Sequence, residues 1–378
     1  MDRVRTVGKL VFNGLRYRLL KSTGRPGRLE AISLEITHRC ICRCRMCNIW
    51  QIPSEIPDLA LSDWIGLLSS PALGRLVEID ITGGEPFLRE DLEELLEWIG
   101  HSKSSRFPAL KTVAITTNGI LTARILDVTA RIAGAFQERG IDLVLACGMD
   151  AVGTPHDDIR QFKGAWEKLS ATIERLKELR TSHANLILGI KTTIVPANVH
   201  ELERIASFAR EHDLFALISP CIITGNRFAN LDLRENLQFS IEDQRAVRNF
   251  FETSTLAWNG HRQTLLDFFE TGTVAKPCSA GFNTVFVRHS GEVFPCPVIP
   301  SGLGNMRTSR LEQLLTNLPS RHFRQHIGEF PECKVCTEPG LERLAWPFEG
   351  FTCLHRLWQL GFKEFSLLAR HMGLDKYL

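Results

Sequence analysis

The sequence predicts an α/β fold built on a parallel sheet of six strands joined by crossover helices. Short runs rich in Val, Ile, Leu and Thr alternate with longer stretches of helical periodicity from Gly27 onward. Residues suited to chemistry fall in the turns after the strand-like runs, where such sheets carry their sites. A cysteine-bounded hairpin pattern follows once the alternation ends.

Each element has its own signal. Ala31–Thr37 reads as the first strand, and Ser62 as the cap of a helix to Ser70 with Asp63 in its first turn. Leu76–Thr82 is the second strand, and the Leu- and Glu-rich stretch Glu90–Gly100 its helix. Lys111–Thr116, Leu143–Cys147, Leu186–Ile194 and Phe215–Ser219 are the remaining strands. Helices over 122–139, Ala165–Arg180 and Val199–His212 separate them. Six units fit a partial (β/α)6 barrel of TIM-like kind.

Composition sets the outer limits. The chain has 378 residues, 44% hydrophobic and 23% charged, as in a globular protein with room for one large domain and a smaller one. A net charge of +2 gives no global argument for nucleic acid. No run has the length of a transmembrane helix, and no signal peptide stands at the start. Eleven cysteines without a secretory signal point to a reducing cytoplasm, where clustered Cys mean metal or catalysis.

Basic residues crowd the first thirty positions (among them Arg3, Arg5, Lys9, Arg16 and Arg18), with Val4, Val7, Leu10, Val11, Leu15 and Leu19 at helical spacing. Such a helix can lie on an anionic membrane surface; the favoured expectation is a helix across the bottom of the barrel with its basic face in water. The tail from Leu354 to Leu378 is also amphipathic, and packing on the barrel is expected of it.

The central motif follows the first strand. Cys40, Cys44 and Cys47 are spaced C-x3-C-x2-C within Thr37-His-Arg-Cys-Ile-Cys-Arg-Cys-Arg-Met-Cys-Asn48. Thiolates are soft ligands for iron–sulfur clusters and zinc. Three in one loop can hold three corners of a cubane and leave one iron open. A structural zinc site wants two pairs, and only Cys42 or His38 stands near as a fourth ligand. Cys42, out of register, is expected to point away. This motif resembles that of the radical S-adenosylmethionine (SAM) superfamily. The resemblance implies that the open iron holds SAM, whose reductive cleavage gives methionine and a 5′-deoxyadenosyl radical that takes hydrogen from substrate. Met46 stands where the family often has an aromatic.

Other turns extend the resemblance. Gly83-Gly84-Glu85-Pro86 is similar to the family's GGEP motif, whose backbone meets the SAM amino group. Thr117 and Asn118 are placed to meet ribose or adenine, or form a plain turn with Gly119. Gly148-Met-Asp150 stands where the family usually has Ser-Leu-Asp, so Gly148 loses a side-chain contact. Arg160 is either a bidentate partner of the SAM carboxylate or a surface arginine. Catalytic groups are unassigned; Asp150, Cys221 and Cys353 are the candidates, with buried structural Cys the default for Cys147 and Cys221.

A second cysteine set, Cys278, Cys296, Cys333 and Cys336, brackets a hairpin turning at His289-Ser-Gly291 and ends in C-x2-C. It resembles the SPASM and Twitch extensions, and lacks the further cysteines of a full SPASM pattern, so a one-cluster Twitch form is expected. Zinc on the same four is the alternative, and Cys353 is a spare ligand or thiol. The expected division is 1–29 amino-terminal helix, 30–240 barrel, 241–274 linking helices, 275–340 auxiliary cluster domain and 341–378 helical tail.

The resemblance thus implies an enzyme with SAM, two 4Fe–4S clusters and a flavodoxin- or ferredoxin-type electron donor. The auxiliary cluster would aid substrate oxidation or binding. Modification of a ribosomally made peptide is the leading substrate reading, although no leader-binding domain fits in the first thirty residues. The alternatives are a small-molecule or lipid step in cofactor, antibiotic or membrane biosynthesis, and a non-enzymatic zinc or iron–sulfur scaffold.

Overall fold

The computed structural model describes residues 2–254 and 259–378. Its sheet has nine strands: β1 (Ala31–Glu35), β2 (Glu78–Thr82), β3 (Thr112–Thr117), β4 (Asp142–Gly148), β5 (Leu186–Ile194), β6 (Phe215–Pro220), β7 (Thr284–Val287), β8 (Glu292–Phe294) and β9 (Gly304–Asn305). Their order is β6-β5-β4-β3-β2-β1-β7-β8-β9. The first six run parallel in sequence order, each paired with the one before it, so the expected α/β barrel sheet is present and remains open.

The hairpin continues this sheet. β7 pairs in parallel with β1, Ser33 opposite Phe286 and Leu34 opposite Val287, and β8 returns antiparallel to β7. Gly291 closes the turn at φ 90°, where a side chain would be strained. The second cysteine set is therefore anchored to the strand that precedes the first.

Alternation along the strands separates two faces. Ile32, Leu34, Ile79, Ile81, Val113, Ile115, Leu143 and Leu145 pack with the helices in one apolar core. The opposite face is polar: Ser33 donates to Asp80 at 2.6 Å, and Lys191 to Thr116 at 2.7 Å. Arg288 pairs with buried Glu35 at 3.1 Å on the same face.

Helix boundaries depart locally from expectation. The second helix is Leu61–Leu68, and Asp63, not Ser62, closes its start by accepting the Ala60 N–H at 3.0 Å. Val199–His212 divides into a 3-10 turn, Pro196–Glu201, and a helix, Leu202–Glu211, because Pro196 fixes the first turn. The helix Thr154–Arg160 was not expected; its seven residues are too few for a periodic signal. Helices Ile241–Thr253 and Asn259–Thr271 lie between β6 and β7.

The termini cover the amino ends of the strands. Lys376 Nζ reaches Glu78 Oε2 at 2.6 Å and Thr112 at 2.8 Å, and Arg343 and Tyr377 also meet Glu78. Burial opposes the charge on Glu78, yet Arg343 and Lys376 hold it well below the usual carboxylate range. The amino-terminal helix, Arg3–Thr23, packs on Pro339–Glu349 and on Phe351–His371, which breaks at Gly361 (φ 74°). It buries Thr6, Leu10 and Gly14 but leaves Val4, Phe12, Leu15 and Leu19 in solvent, so its outward face is apolar as well as basic.

Two glycines allow this packing. A Cβ on Gly14 would meet the Phe351 ring at 2.5 Å, and one on Gly350 (φ 80°) would meet the Leu10 carbonyl oxygen at 2.2 Å. Gly350→Ala should therefore cost about 3 kcal/mol and loosen the amino-terminal helix. Thermal unfolding and limited proteolysis between residues 1 and 30 check this; an unchanged midpoint and cleavage pattern would show that the contact is not tight.

Candidate active site and auxiliary cysteine centre

The cysteine loop after β1 is held on three sides. Behind it, Gly84 N–H donates to Thr37 O at 2.8 Å and Glu85 N–H to Arg39 O at 2.9 Å. A Cβ on Gly83 would lie 2.3 Å from Thr37 O, and one on Gly84 2.2 Å from Arg39 O. The two glycines are thus required for contact between the turn after β2 and the chain entering the cysteine loop. On a second side, Arg43 N–H and Arg45 N–H donate to Arg160 O and Ile159 O at 3.1 and 2.9 Å. On the third, Asn48 N–H meets Phe228 O at 2.8 Å, its side chain meets Asp232 at 2.9 Å, and Asn230 Nδ2 caps Met46 O at 2.9 Å.

Glu85 ties adjacent strand ends together. Its buried carboxylate accepts from Phe87 N–H at 3.0 Å, Thr117 Oγ1 at 2.9 Å and Asn118 N–H at 2.7 Å. Burial nevertheless pushes its pKa up to about 7. The Thr117 hydroxyl is thereby engaged inside the protein. Asn118 Oδ1 accepts from Ile120 N–H at 2.9 Å, while its buried Nδ2 has no partner among the described residues.

Gly148 makes room for Arg160. A Cβ there would come within 2.4 Å of the guanidinium, which pairs with Asp150 at 2.7 Å and reaches Cys44 Sγ at 3.9 Å. Arg160 is therefore not a surface arginine. Asp150 is fully buried, and its other oxygen accepts from Thr193 N–H at 3.0 Å. Both carboxylate oxygens face protein groups, so Asp150 positions Arg160. The Cys44 thiol is brought down to about 7 by the Cys42 thiol beside it and then by Arg160, against the effect of burial. Cys42 does not point away: it is buried with Ile120 and Ala165, and its thiol neighbours Cys40 and Cys44. Small size and apolar character suit Cys to that position.

Cys221, at the end of β6, packs with Cys44, Met46 and Ile223, so the fold brings it to the cysteine loop. Asn230 Nδ2 donates to its sulfur at 3.6 Å, and burial pushes the thiol up to about 12. Cys147 lies in the apolar core and is likewise pushed up to about 12 by burial. Cys353 is remote from both sets: it is fully buried with Leu10, Trp346, Leu357 and Phe365 beneath the amino-terminal helix.

Cys278, Cys296, Cys333 and Cys336 share one apolar pocket with Phe282, Phe323 and Phe348. Tyr17 OH fixes the turn at Cys278 O at 2.9 Å, and Ile299 N–H donates to Cys296 Sγ at 3.4 Å. Burial, with repulsion from neighbouring thiols, raises Cys278 to about 12 and Cys296 well above the ordinary thiol value, and burial raises Cys333 as well. Bound iron reverses this, since a coordinating thiol is deprotonated outright.

Sequence reasoning missed the polar clamp linking the two regions. His38 Nδ1 is 2.8 Å from Asp58 Oδ1, and His289 Nδ1 is 3.2 Å from the same oxygen. Thr37 Oγ1 donates to Asp58 Oδ2 at 2.5 Å. His38 and His289 lie in the two cysteine regions, so only the fold makes them neighbours. Asn230 and Asp232 carried no signal beyond turn composition.

The donor chemistry fits the cofactors that the motif implies. Three thiols share one loop, and two buried donors beside them, Asn118 Nδ2 and Arg160 Nε, lack partners among the described residues.

Residues 34–209 match the radical SAM superfamily, and residues 278–337 match the iron–sulfur cluster-binding domain SPASM. The chain thus carries a radical SAM domain, the domain of enzymes that use SAM and 4Fe–4S clusters, followed by a SPASM domain. It is 21% identical to the antilisterial bacteriocin subtilosin biosynthesis protein AlbA of Bacillus subtilis over 77% of this chain and 60% of AlbA. It therefore spans less than two-thirds of that relative. It is 23% identical to the AdoMet-dependent heme synthase of Oleidesulfovibrio alaskensis over 78% of this chain and 76% of the synthase. Its fold is similar to that of Streptococcus suis SuiB bound to precursor peptide SuiA, with TM-score 0.58, 13% identity, and 85% and 74% of the two chains covered. Among the described residues, no helix is long and apolar enough to cross a membrane.

The Gly148–Arg160 contact is testable by restoring the serine usual in the family. Gly148→Ser should push Arg160 off Asp150, leave a buried carboxylate without its cation, and lower stability by about 3 kcal/mol. Denaturant unfolding under anaerobic conditions measures it. A variant as stable as wild type would mean that the guanidinium relocates freely.

Proposed function

We propose that this enzyme cleaves SAM reductively and uses the resulting 5′-deoxyadenosyl radical to take a hydrogen atom from a peptide. The observation that carries the substrate reading is the polar face of the sheet turned away from the helices. Ser33–Asp80, Thr116–Lys191 and Glu35–Arg288 offer charges and hydrogen bonds that suit a peptide backbone and oppose burial of an acyl chain. AlbA, named for bacteriocin biosynthesis, and SuiB, solved with a precursor peptide, support the same reading.

Cys40, Cys44 and Cys47 would hold the cluster that supplies the electron for SAM cleavage. The backbone of Gly83–Glu85 and the Asn118 amide would orient SAM, and Arg160, fixed by Asp150, would face its carboxylate. A flavodoxin- or ferredoxin-type protein would deliver the electron. Cys278, Cys296, Cys333 and Cys336 would hold one auxiliary cluster that accepts an electron from the substrate radical or binds substrate. Cys221 beside Met46 would face the substrate. A small-molecule or lipid substrate is the second reading, supported by the similarity to the AdoMet-dependent heme synthase.

With dithionite, the anaerobically reconstituted protein should release 5′-deoxyadenosine, and Cys44→Ala should reduce that at least about a hundredfold. A change in mass in a candidate precursor peptide, against cell-extract metabolites and lipids, separates the two substrate readings. Cleavage by Cys44→Ala at the wild-type rate would refute the assignment.

The ligand count gives a separate test. About eight iron and eight sulfide per chain are expected from two cubanes. Cys336→Ala should lose about half the iron, while Cys353→Ala should retain all of it. Iron analysis with electron paramagnetic resonance decides; a second cluster lost in Cys353→Ala and kept in Cys336→Ala would overturn the ligand set.

A further inference from the structure

We propose that the outward face of the amino-terminal helix docks this enzyme onto the surface of an anionic lipid bilayer. The helix Arg3–Thr23 buries Thr6, Leu10 and Gly14 against the carboxyl-terminal helices. On the other side, Val4, Phe12, Leu15 and Leu19 are 83%, 65%, 60% and 64% exposed, and Val11 joins them at 37%. Positions 4, 11, 15 and 19 repeat at helical spacing, so they form one stripe along the helix. The stripe lies opposite the buried side and has no partner among the described residues.

Charge identifies the occupant. The helix contains no Asp or Glu, and Arg3, Arg5, Lys9 and Arg18 are all exposed around the stripe. Its carboxyl end opens onto a shallow depression lined by Arg18, Lys21, Ser22, Gln325 and His326, a setting for a phosphate headgroup. A helix of 21 residues carrying this many cations cannot span a bilayer but can lie in its interface, apolar side chains down and basic side chains toward headgroups. A second copy of the chain is a poorer occupant, because pairing these faces would bring like charges together and bury little beyond one helical stripe. Docking of this kind is independent of the substrate: the stripe lies on the side of the molecule that covers the amino ends of the strands, away from the cysteine loop.

Flotation of the full-length, cluster-containing protein tests this under anaerobic conditions. Wild type should float with phosphatidylcholine vesicles containing about one-third phosphatidylglycerol, and at least about tenfold less with pure phosphatidylcholine or at high salt. Phe12→Glu with Leu15→Glu should abolish flotation, and Arg5→Glu with Lys9→Glu should weaken it about tenfold or more. All four residues are exposed, so iron content and SAM cleavage should remain at wild-type levels in both variants. Wild type that does not float, or flotation unaffected by Phe12→Glu with Leu15→Glu, overturns the proposal. A dimer by size exclusion that this double variant dissociates, without flotation, would assign the stripe to a second copy instead.

Discussion

The site depends on a backbone clasp between two loops. The turn after β2 and the chain between β1 and Cys40 lie so close that Gly83 and Gly84 have no room for a side chain. The carbonyls of Thr37 and Arg39 take the N–H groups of Gly84 and Glu85. This contact fixes where the cysteine loop begins and where the Glu85 carboxylate points. Glu85 then fastens Thr117 and Asn118 at the end of β3. Three consecutive strand ends are thereby locked to one another before any ligand arrives, which is how a loop-borne site acquires the rigidity that oriented chemistry requires.

The end of β4 adds a charge to this frame. A buried arginine is tolerated only where its desolvation is offset, and Asp150 provides that offset from full burial. Gly148 leaves the guanidinium space within reach of Cys44. The absence of a side chain at residue 148, which in the sequence looks like a lost contact, is in the fold the condition for a different one.

The two cysteine regions form one structural unit, although almost 240 residues separate Cys40 from Cys278. β7 pairs with β1, so the hairpin bearing His289 lies against the start of the cysteine loop. Asp58 holds both His38 and His289 and is itself oriented by Thr37. Their relative position is therefore set by backbone pairing and a buried polar network, a more rigid link than a flexible domain interface.

The sequence by itself determined the features that local chemistry encodes. Strand alternation showed the six parallel strands to within a few residues, because side chains on one face of a strand must be apolar to meet the helices. Thiol spacing and the Gly-Gly turn marked the site, because a cluster needs soft ligands within one short loop. The tertiary structure alone decided which distant groups meet: Arg160 with Gly148 and Asp150, His38 with His289, Cys221 with Met46, and Cys353 with the amino-terminal helix instead of a cysteine set. It also decided which side of the first helix is buried. Two stripes of apolar residues on a helix read alike in sequence, and only packing against the carboxyl-terminal helices left one of them facing solvent.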